Sequence, residues 1–266
     1  MSDRSCLDLR ETQIQTTGSG LTMVIDKGLG CHSFTDLLET AGDYIDCIKF
    51  GFGTAPLYPN DILISKIELA KRYGLTVMPG GTFLETAIQQ NVVPAFFNSV
   101  CRIGFNGIEV SDGTIEVTRS QRSELIREGV KLRLRVVTEY GKKLSGSLID
   151  ANSLAVTVDE DLSEGADLVT IEARESGKGV GLFDERGDCS EGVLESVTRM
   201  LGDCRHIMWE TPLKQQQVLM IQTFGSNVNL GNIPPSDILS LETLRRGLRS
   251  DTFHLGDQVT PFFYMI

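Results

Sequence analysis

Strand-like and helix-like segments alternate about eight times along the chain, in units of roughly thirty residues, which is the repeat of a TIM (β/α)8 barrel. Polar residues recur at the carboxyl end of nearly every strand-like segment, where barrel enzymes place their chemistry. A length of 266 residues also suits one such barrel. We therefore predict an α/β protein with a single TIM-barrel domain at residues 21–253, an N-terminal arm at 1–20 and a C-terminal tail at 254–266.

An open, doubly wound sheet is the rival fold. Such a sheet usually carries a GxGxxG motif after its first strand, and only the strands at its switch point should end in polar residues. Here the glycine-rich segment follows the sixth strand, and polar strand ends recur along the whole chain. Both observations favour the closed barrel.

The eight predicted strands are short apolar runs that end in polar residues or glycine. In the sixth, Val169 and Ile171 alternate with Thr170 and Glu172, so one face would pack on helices and the other would point inward. The predicted strands are residues 21–28, 44–53, 75–81, 107–113, 133–143, the start of 167–181, 206–212 and 228–233.

Apolar residues at helical spacing predict helices between the strands. Asn60 is the candidate N-cap of the second helix. In the last helix the acidic residues come early and the arginines, Arg249 included, come late, as the helix macrodipole favours. The predicted helices are residues 32–41, 60–73, 83–90, 94–103, 119–128, 158–165, 191–201, 214–224 and 236–249.

The composition limits the partners of this protein. A net charge of −11 and a pI near 4.8 argue against nucleic acid or an anionic membrane, because a basic surface is missing. The sequence has no run of about 18 apolar residues, and its first segment has no hydrophobic signal core. We expect a soluble, cytoplasmic protein that attracts any anionic substrate through a local cluster of lysine and arginine.

The cysteines and histidines do not form a recognisable catalytic or metal motif. The six cysteines are scattered without a CxxC pair, and the three histidines stand apart from serine or cysteine nucleophile motifs. We expect reduced structural thiols. Acid–base chemistry would then depend on lysine, glutamate or aspartate.

Four glutamates follow four successive predicted strands and would converge at one mouth of the barrel. Such carboxylates repel one another unless a divalent cation or lysines neutralise them. Oxygen ligands without histidine or cysteine suit Mg²⁺. The predicted magnesium ligands are Glu109, Glu139, Glu172 and Glu210. Alternatively, one or two of them pair with Arg135 or Arg174 inside the barrel.

Cations and glycines near the strand ends are candidates for binding an anionic substrate. Lysine supplies a point charge, arginine a bidentate fork, and a glycine-rich loop exposes backbone N–H groups. The candidate substrate-binding residues are Lys27, Lys49, Ser111, Arg174, Ser176, Gly177, Gly179 and Asn229. The alternative for the glycine-rich loop is a surface loop with an Arg–Glu pair.

Lys142 and Lys143 adjoin the end of the fifth strand. A lysine amid other cations can have a lowered pKa and deliver a proton, so both are candidate catalytic residues. The alternative is a solvated turn after that strand.

Several segments, in this order, resemble the phosphosulfolactate synthase family. They are VIDKG at 24–28, KFGFGT at 49–54, PGGT at 79–82, IEVSDGTI at 108–115, YGKK at 140–143, IEARESGKGVGL at 171–182, KQQQ at 214–217, and VNLGNI at 228–233 with SLETLRRGLRSDTF after it. The resemblance spans residues 21–253. Tyr140, Trp209 and Thr211 depart from the family pattern beside candidate site residues and put the fine geometry in doubt.

The resemblance implies a TIM-barrel enzyme of the carbon–sulfur lyase class. Such an enzyme adds sulfite to phosphoenolpyruvate with Mg²⁺ as cofactor, giving (2R)-2-O-phospho-3-sulfolactate on a route to coenzyme M or to sulfolactate. It also implies Lys143 as the general acid, Lys27, Lys49 and Arg174 as anion-binding cations, and a homo-oligomer such as a trimer.

Two other functions compete with this interpretation. A Schiff-base aldolase would use Lys143 or Lys49 as its nucleophile. Plant heat-stress-associated proteins resemble the same family and act in protein maintenance. The presence of Lys49, Glu109 and Lys143 together with both glycine loops favours the catalytic branch.

Overall fold

Eight parallel strands form the inner layer of the structure. The computed structural model describes residues 20–253, apart from residues 145, 148, 175 and 190. The strands are β1 (Thr22–Asp26), β2 (Cys47–Phe50), β3 (Thr76–Pro79), β4 (Gly107–Val110), β5 (Arg135–Tyr140), β6 (Leu168–Ile171), β7 (Ile207–Glu210) and β8 (Asn229–Ile233).

The strands follow one another around a barrel in chain order. β1 pairs in parallel with both β2 and β8, and the ladder ends at β3 on one side and β4 on the other. β3 and β4 meet at a seam where Asn106 accepts a hydrogen bond from the Val77 N–H at 2.6 Å and donates one to the Leu75 carbonyl at 3.1 Å. The predicted TIM barrel is confirmed.

Helices form the outer layer. They are α1 (Cys31–Ala41), α2 (Asn60–Arg72), α3 (Gly81–Gln89), α4 (Val93–Ile103), α5 (Arg119–Lys131), α6 (Ala151–Ser163), α7 (Glu191–Leu201), α8 (Lys214–Phe224) and α9 (Ile238–Arg245). Six of the nine begin within two residues of the predicted start and end within one residue of the predicted end, because their apolar stripes mark the buried face.

Three details of the helix prediction are wrong. Asn60 is already inside α2, whose N-cap is Pro59. α6 begins at Ala151, before the predicted start at Val158, because the Asp150 side chain caps it, accepting the Ser153 N–H at 2.6 Å. α9 ends at Arg245, since Gly247 adopts a φ of 66° shortly afterwards, so Arg249 lies beyond the helix.

Alternation along the strands separates two environments. Outward residues such as Val169 and Ile171 join the apolar core beneath the helices. Inward residues at the amino-terminal end of the barrel form an apolar plug that includes Cys47, Val137 and Met208. Two positions further along the same strands, facing the same side, stand Lys49, Glu139 and Glu210. The polar site therefore lies above the plug, at the carboxyl end of the barrel.

The predicted arm and tail, at 1–20 and 254–266, lie outside the described residues apart from Gly20. Among the helices described for residues 20–253, none combines the length and the apolar character needed to cross a membrane.

Candidate active site

Four glutamates from neighbouring strands meet inside the carboxyl end of the barrel. Glu109, Glu139 and Glu210 lie on β4, β5 and β7, and Glu172 directly follows β6. Each is at most 2% exposed. Carboxylate oxygens of Glu139, Glu172 and Glu210 all lie within 4.8 Å of one another, and Glu109 lies outside this group of three.

Two lysines lie among these carboxylates. Lys49 Nζ is 2.9 Å from Glu210 Oε1 and 3.0 Å from Glu109 Oε1. Lys143 Nζ is 2.6 Å from Glu139 Oε1 and 3.3 Å from Glu172 Oε2. Four carboxylates against two ammonium groups leave an excess of two negative charges when all are ionised.

Burial and the neighbouring charges set the protonation of the cluster. Burial, reinforced by Glu139 and Glu210, raises the pKa of Glu172 well above its ordinary value. Burial acts on Glu139 in the same direction, but Lys143 and Lys49 overcome it and lower the pKa of Glu139 to about 2. Burial disfavours the charges of both lysines, yet the carboxylates raise the pKa of each. Glu172 is therefore the carboxyl of this group that retains a proton most readily.

The cluster fits a divalent cation. Glu172 Oε2 is buried and accepts no hydrogen bond from the described residues, although Lys143 Nζ lies 3.3 Å away. Carboxylate oxygens are the ligands that Mg²⁺ prefers, and two positive charges would balance the excess negative charge. Both oxygens of Glu109 already accept hydrogen bonds, from Lys49 Nζ at 3.0 Å and from the Gly81 N–H at 2.6 Å. Three of the four predicted ligands therefore form the group that suits the ion, and Glu109 positions Lys49 instead.

These groups line a cavity of about 540 Å³ at the mouth of the barrel. Lys49, Lys143, Arg174 and Asn232 all contribute to its wall. Within the part of the chain that the structure describes, no carboxylate lies within ion-pair distance of Arg174, whose own backbone N–H donates to Glu172 at 2.5 Å. The arginine thus keeps its charge available for an anion in the cavity.

Glu85 and Lys142 form hydrogen bonds with backbone groups of the loop between β4 and α5. Glu85, on α3, accepts hydrogen bonds from the N–H groups of Thr114 at 2.7 Å and Ile115 at 3.1 Å, and from the Ser111 hydroxyl at 2.5 Å. Lys142 donates to the Ile115 carbonyl at 3.1 Å. Because Thr114 and Ile115 line the cavity, these bonds fix one of its walls.

A buried ion pair between α5 and α6 is hydrogen-bonded to the backbone of β5. Arg122, on α5, places Nη2 2.6 Å from Asp161 Oδ2 on α6, and the same nitrogen donates to the Glu139 carbonyl at 3.0 Å. Burial disfavours the charge of Arg122, but its hydrogen bonds to Asp161 raise its pKa. The pair fixes the backbone that carries Glu139.

The sequence matches a family model described as (2R)-phospho-3-sulfolactate synthase (ComA) over residues 11–251. The chain belongs to the phosphosulfolactate synthase family. The phosphosulfolactate synthase of Methanothermobacter thermautotrophicus is 42% identical over 236 residues, which cover 88% of this chain and 91% of that protein. The phosphosulfolactate synthase of Bacillus subtilis is 36% identical over 239 residues, covering 89% of this chain and 93% of that protein.

Three further proteins have lower sequence identity to this phosphosulfolactate synthase family member. Protein HEAT-STRESS-ASSOCIATED 32 of Arabidopsis thaliana is 24% identical over 236 residues, which cover 79% of each chain. Among solved structures, the YdjI aldolase of Escherichia coli K12 superposes with a TM-score of 0.54 at 12% identity, covering 91% of this chain and 85% of that one. KGPDC of Streptococcus mutans gives a TM-score of 0.51 at 9% identity, covering 91% and 100%. These structural likenesses concern the fold alone.

Asn229, a predicted substrate-binding residue, lies away from the cavity. It lies at the amino-terminal end of β8, opposite the mouth, where its amide accepts from the Leu21 N–H and donates to the carbonyls of Arg205 and Ile207, each at 2.9 Å. The prediction took the first residue of the strand for its carboxyl end. Asn232, three residues further on, is the asparagine of this strand that lines the cavity.

Two of the expected backbone donors in the glycine-rich loop after β6 are bonded to carbonyls of the protein. The N–H of Gly179 donates to the Asp184 carbonyl at 2.9 Å, and the N–H of Gly181 donates to the Ser147 carbonyl at 2.9 Å. Ser176 is exposed, and Gly177 is packed against Gln216 of α8, which donates to its carbonyl at 2.6 Å. These glycines permit a tight, internally bonded loop with positive φ angles outside the cavity wall.

Three other predicted site residues lie at the edge of the site. Lys27 is exposed, with Nζ 5.9 Å from the ring centroid of Phe52, which lines the cavity. Ser111 is buried and bound to Glu85. Lys142 reaches the cavity wall, but its ammonium group is bound to the β4–α5 loop, not to the carboxylate cluster. Of the two adjacent lysines, Lys143 alone contacts the cluster.

Glu85 and Arg122 are not among the residues that the sequence pattern selects, and Asn232, which the pattern groups with the polar strand ends at the mouth, is not among the predicted substrate-binding residues. Glu85 and Arg122 are single charged residues on the buried sides of helices, and a lone charge within an apolar stripe resembles a surface position in sequence. Asn232 belongs to a polar strand end, but a β-bulge decides which way its side chain points. Strand-end polarity therefore finds the carboxylates and overlooks the residues that support them from helices.

Proposed function

We propose that this chain catalyses the Mg²⁺-dependent addition of sulfite to C3 of phosphoenolpyruvate, giving (2R)-2-O-phospho-3-sulfolactate. The observation that carries the proposal is the buried group of three carboxylates beside Lys143 in the wall of the cavity. Membership of the phosphosulfolactate synthase family supports the product. A carbon–sulfur lyase of this type forms that product from those two substrates.

Glu139, Glu172 and Glu210 are the proposed magnesium ligands. When bound, the ion supplies Lewis-acid stabilisation of the negative charge that develops on the substrate, worth several kcal/mol. Carboxylates bind metal in their ionised form, so Glu172 releases its proton on binding. Lys49, held between Glu109 and Glu210, keeps these side chains in place and balances part of their charge.

Lys143 is the proposed general acid. The sulfur lone pair of sulfite forms the S–C3 bond, the C2=C3 π electrons move toward the carboxylate, and a proton is then added at C2. The surrounding carboxylates raise the pKa of Lys143, contrary to the lowered pKa on which the sequence prediction was based, so its ammonium group stays charged until it meets the strongly basic intermediate. The side chain is 27% exposed, so solvent can replace the proton that it donates. A positioned acid of this kind contributes roughly 10²–10⁴-fold to the rate.

Arg174 is the proposed principal site for a substrate anion. The three lysines of the cavity wall, Lys49, Lys142 and Lys143, are held in ion pairs. Arg174, in contrast, has no carboxylate partner among the described residues. A guanidinium group binds phosphate or carboxylate through two parallel hydrogen bonds. Lys27 adds positive charge at the rim.

The charges of the lysines weigh against a Schiff-base aldolase. A nucleophilic lysine needs a lowered pKa, but the surrounding carboxylates raise the pKa of Lys49 and Lys143. Burial does lower the pKa of Lys66 on α2. That residue, however, pairs with Asp26 at the end of β1 and does not line the cavity. A role in protein maintenance alone would not require this cavity.

The proposal extends to the setting of the enzyme. The family resemblance supports a cytoplasmic homo-oligomer, such as a trimer, whose product enters coenzyme M or sulfolactate synthesis. The net charge of −11 argues against nucleic acid or anionic membranes as partners, so small anionic substrates would be attracted by the local cations of the cavity.

The test is consumption of phosphoenolpyruvate by the full chain, followed by ³¹P NMR with and without sulfite and with and without Mg²⁺. We expect a new phosphoester resonance that needs both sulfite and the metal. If phosphoenolpyruvate stays unchanged when both are present, the synthase proposal is wrong. Borohydride trapping with a keto substrate then examines the aldolase alternative.

A further inference from the structure

Asn232 stands in an unusual place on the last strand. The pairing of β1 with β8 matches Thr22 to Leu230 and Val24 to Ile233, so three steps on β8 face two on β1. The extra residue makes a β-bulge, and Asn232 lies inside it with a φ of 54°. A bulge next to an active site commonly redirects a side chain.

The backbone of Asn232 is held in a conformation that non-glycine residues seldom adopt. Holding a residue there costs about 1–3 kcal/mol and persists where the surrounding structure enforces it, often at a functional site. Phe52 and Arg174, which share this left-handed backbone, also line the cavity. The strain is thus concentrated around the candidate active site.

None of the residues that the structure describes donates a hydrogen bond to the buried side-chain oxygen of Asn232. The residue is 3% exposed and lines the cavity, and within the described residues Oδ1 accepts no hydrogen bond. An unsatisfied buried amide is costly unless a ligand or water completes it. A carboxamide carries both a donor and an acceptor, and rotation about its last torsion presents either one.

We infer that Asn232 is a substrate-binding residue: its carboxamide, turned so that the NH2 group takes the place of the unpaired oxygen, donates an N–H to an oxyanion group of the substrate. This inference rests on the proposed function. Glu210 on β7 lies between Arg174, which follows β6, and Asn232 on β8, so the two donors flank a carboxylate of the cluster. A neutral donor adds affinity for an anion. An extra lysine at this position would instead form ion pairs with the nearby carboxylates.

The oxyanion belongs either to phosphoenolpyruvate or to sulfite, and steady-state kinetics distinguish the two. Asn232→Gly removes the amide but suits the left-handed backbone, so we expect a fold at least as stable as wild type. We expect KM for one of the two substrates to rise about 10- to 100-fold, as for loss of a hydrogen bond to a charged group. Asn232→Asp should raise the same KM further, because it adds a negative charge.

Asn91→Gly is the matched control. Asn91 also has a left-handed backbone, with a φ of 56°, but it lies exposed after α3, away from the cavity. We expect this variant to leave both KM values unchanged. The inference is overturned if Asn232→Gly folds and keeps both KM values within about twofold of wild type.

A failure of the proposed function is recognisable separately, because wild type would then show no sulfite-dependent turnover. Calorimetric titration of wild type and Asn232→Gly with phosphoenolpyruvate, and then with sulfite, examines the assignment without turnover. Weaker binding of either anion by the variant supports the assignment, and equal binding of both by the two proteins contradicts it.

Discussion

Burial and the neighbouring carboxylates change the pKa of Glu172 in the same direction. It accepts the Arg174 N–H through one oxygen, while the other oxygen accepts no hydrogen bond from the described residues. Burial and the carboxylates of Glu139 and Glu210 raise its pKa well above 4.5. Its proton therefore competes with the proposed metal ion for the same oxygen.

Replacing Glu172 with glutamine removes a charge and leaves the shape of the protonated side chain. We expect Glu172→Gln to weaken Mg²⁺ binding at least about tenfold, measured by isothermal titration calorimetry. In wild type the affinity should rise with pH as Glu172 loses its proton, and each ion bound should release part of one proton. Titrations in buffers of different ionisation enthalpy measure that release, which the variant should lack.

The same substitution has a definite effect on stability without metal. The folded-state pKa of Glu172 exceeds its unfolded value, so its contribution to stability is lost as pH rises through the folded pKa. Glutamine does not ionise, so metal-free Glu172→Gln should be at least as stable as wild type at neutral pH. Glu116→Gln, on the exposed rim, is the control and should leave metal binding intact. Equal Mg²⁺ affinity in all three proteins would remove Glu172 from the ligand set.

Helices α5 and α6 support the cluster from outside the barrel. Arg122 bonds to Asp161 and to the backbone carbonyl of Glu139, and Asp161 is 1% exposed. Removing Asp161 leaves the buried guanidinium of Arg122 with the partly exposed carboxylate of Asp112, 3.3 Å from Nη1, as its ion-pair partner among the described residues. We expect Asp161→Asn to lower the free energy of unfolding by about 3 kcal/mol, measured by urea denaturation.

The same two helices offer a matched control for that prediction. Arg127 of α5 pairs with Glu164, directly after α6, at 2.5 Å, but the arginine side chain is 60% exposed. Solvent screens such a pair, so Glu164→Gln should leave the urea midpoint nearly unchanged. If both substitutions shift the midpoint equally, burial does not decide the contribution of these pairs.

Most of the strands and helices can be predicted from the sequence, and each incorrect prediction has a local physical cause. Each strand is recognisable because a short run rich in apolar residues ends in polar residues or glycine, and the glutamates at strand ends mark the mouth. The N-cap of α6 at Asp150 and the bulge at Asn232 depend on single hydrogen bonds and on strand register, which leave no periodic signal. Buried charges on helices, such as Glu85, escape for the same reason.

At the scale of the whole molecule, closure of the barrel brings Lys49 on β2 within ion-pair distance of Glu109 on β4 and Glu210 on β7. The seam between β3 and β4 is closed through the side chain of Asn106, which bonds to the backbone of Val77 and Leu75. We expect Asn106→Ala to lower the free energy of unfolding by about 1–3 kcal/mol. Hydrogen exchange should show faster exchange of the Val77 amide, with little change at the β6–β7 ladder.

Asn98→Ala is the control for the seam. Asn98 lies exposed on α4, where alanine suits the helix, so this variant should unfold at or above the wild-type midpoint. Unchanged protection of the Val77 amide in Asn106→Ala would mean that the seam does not depend on this side chain.

The carboxylate cluster assigns different roles to two neighbouring lysines, and one rate comparison examines that assignment. Lys143 contacts Glu139 and Glu172, whereas Lys142 bonds to the β4–α5 loop. The measurement is sulfite-dependent consumption of phosphoenolpyruvate with saturating Mg²⁺ by wild type, Lys143→Ala and Lys142→Ala. We expect kcat to fall roughly 10²–10⁴-fold in Lys143→Ala and less than about tenfold in Lys142→Ala. Turnover by Lys143→Ala at a rate near that of wild type would show that Lys143 is not the proton donor.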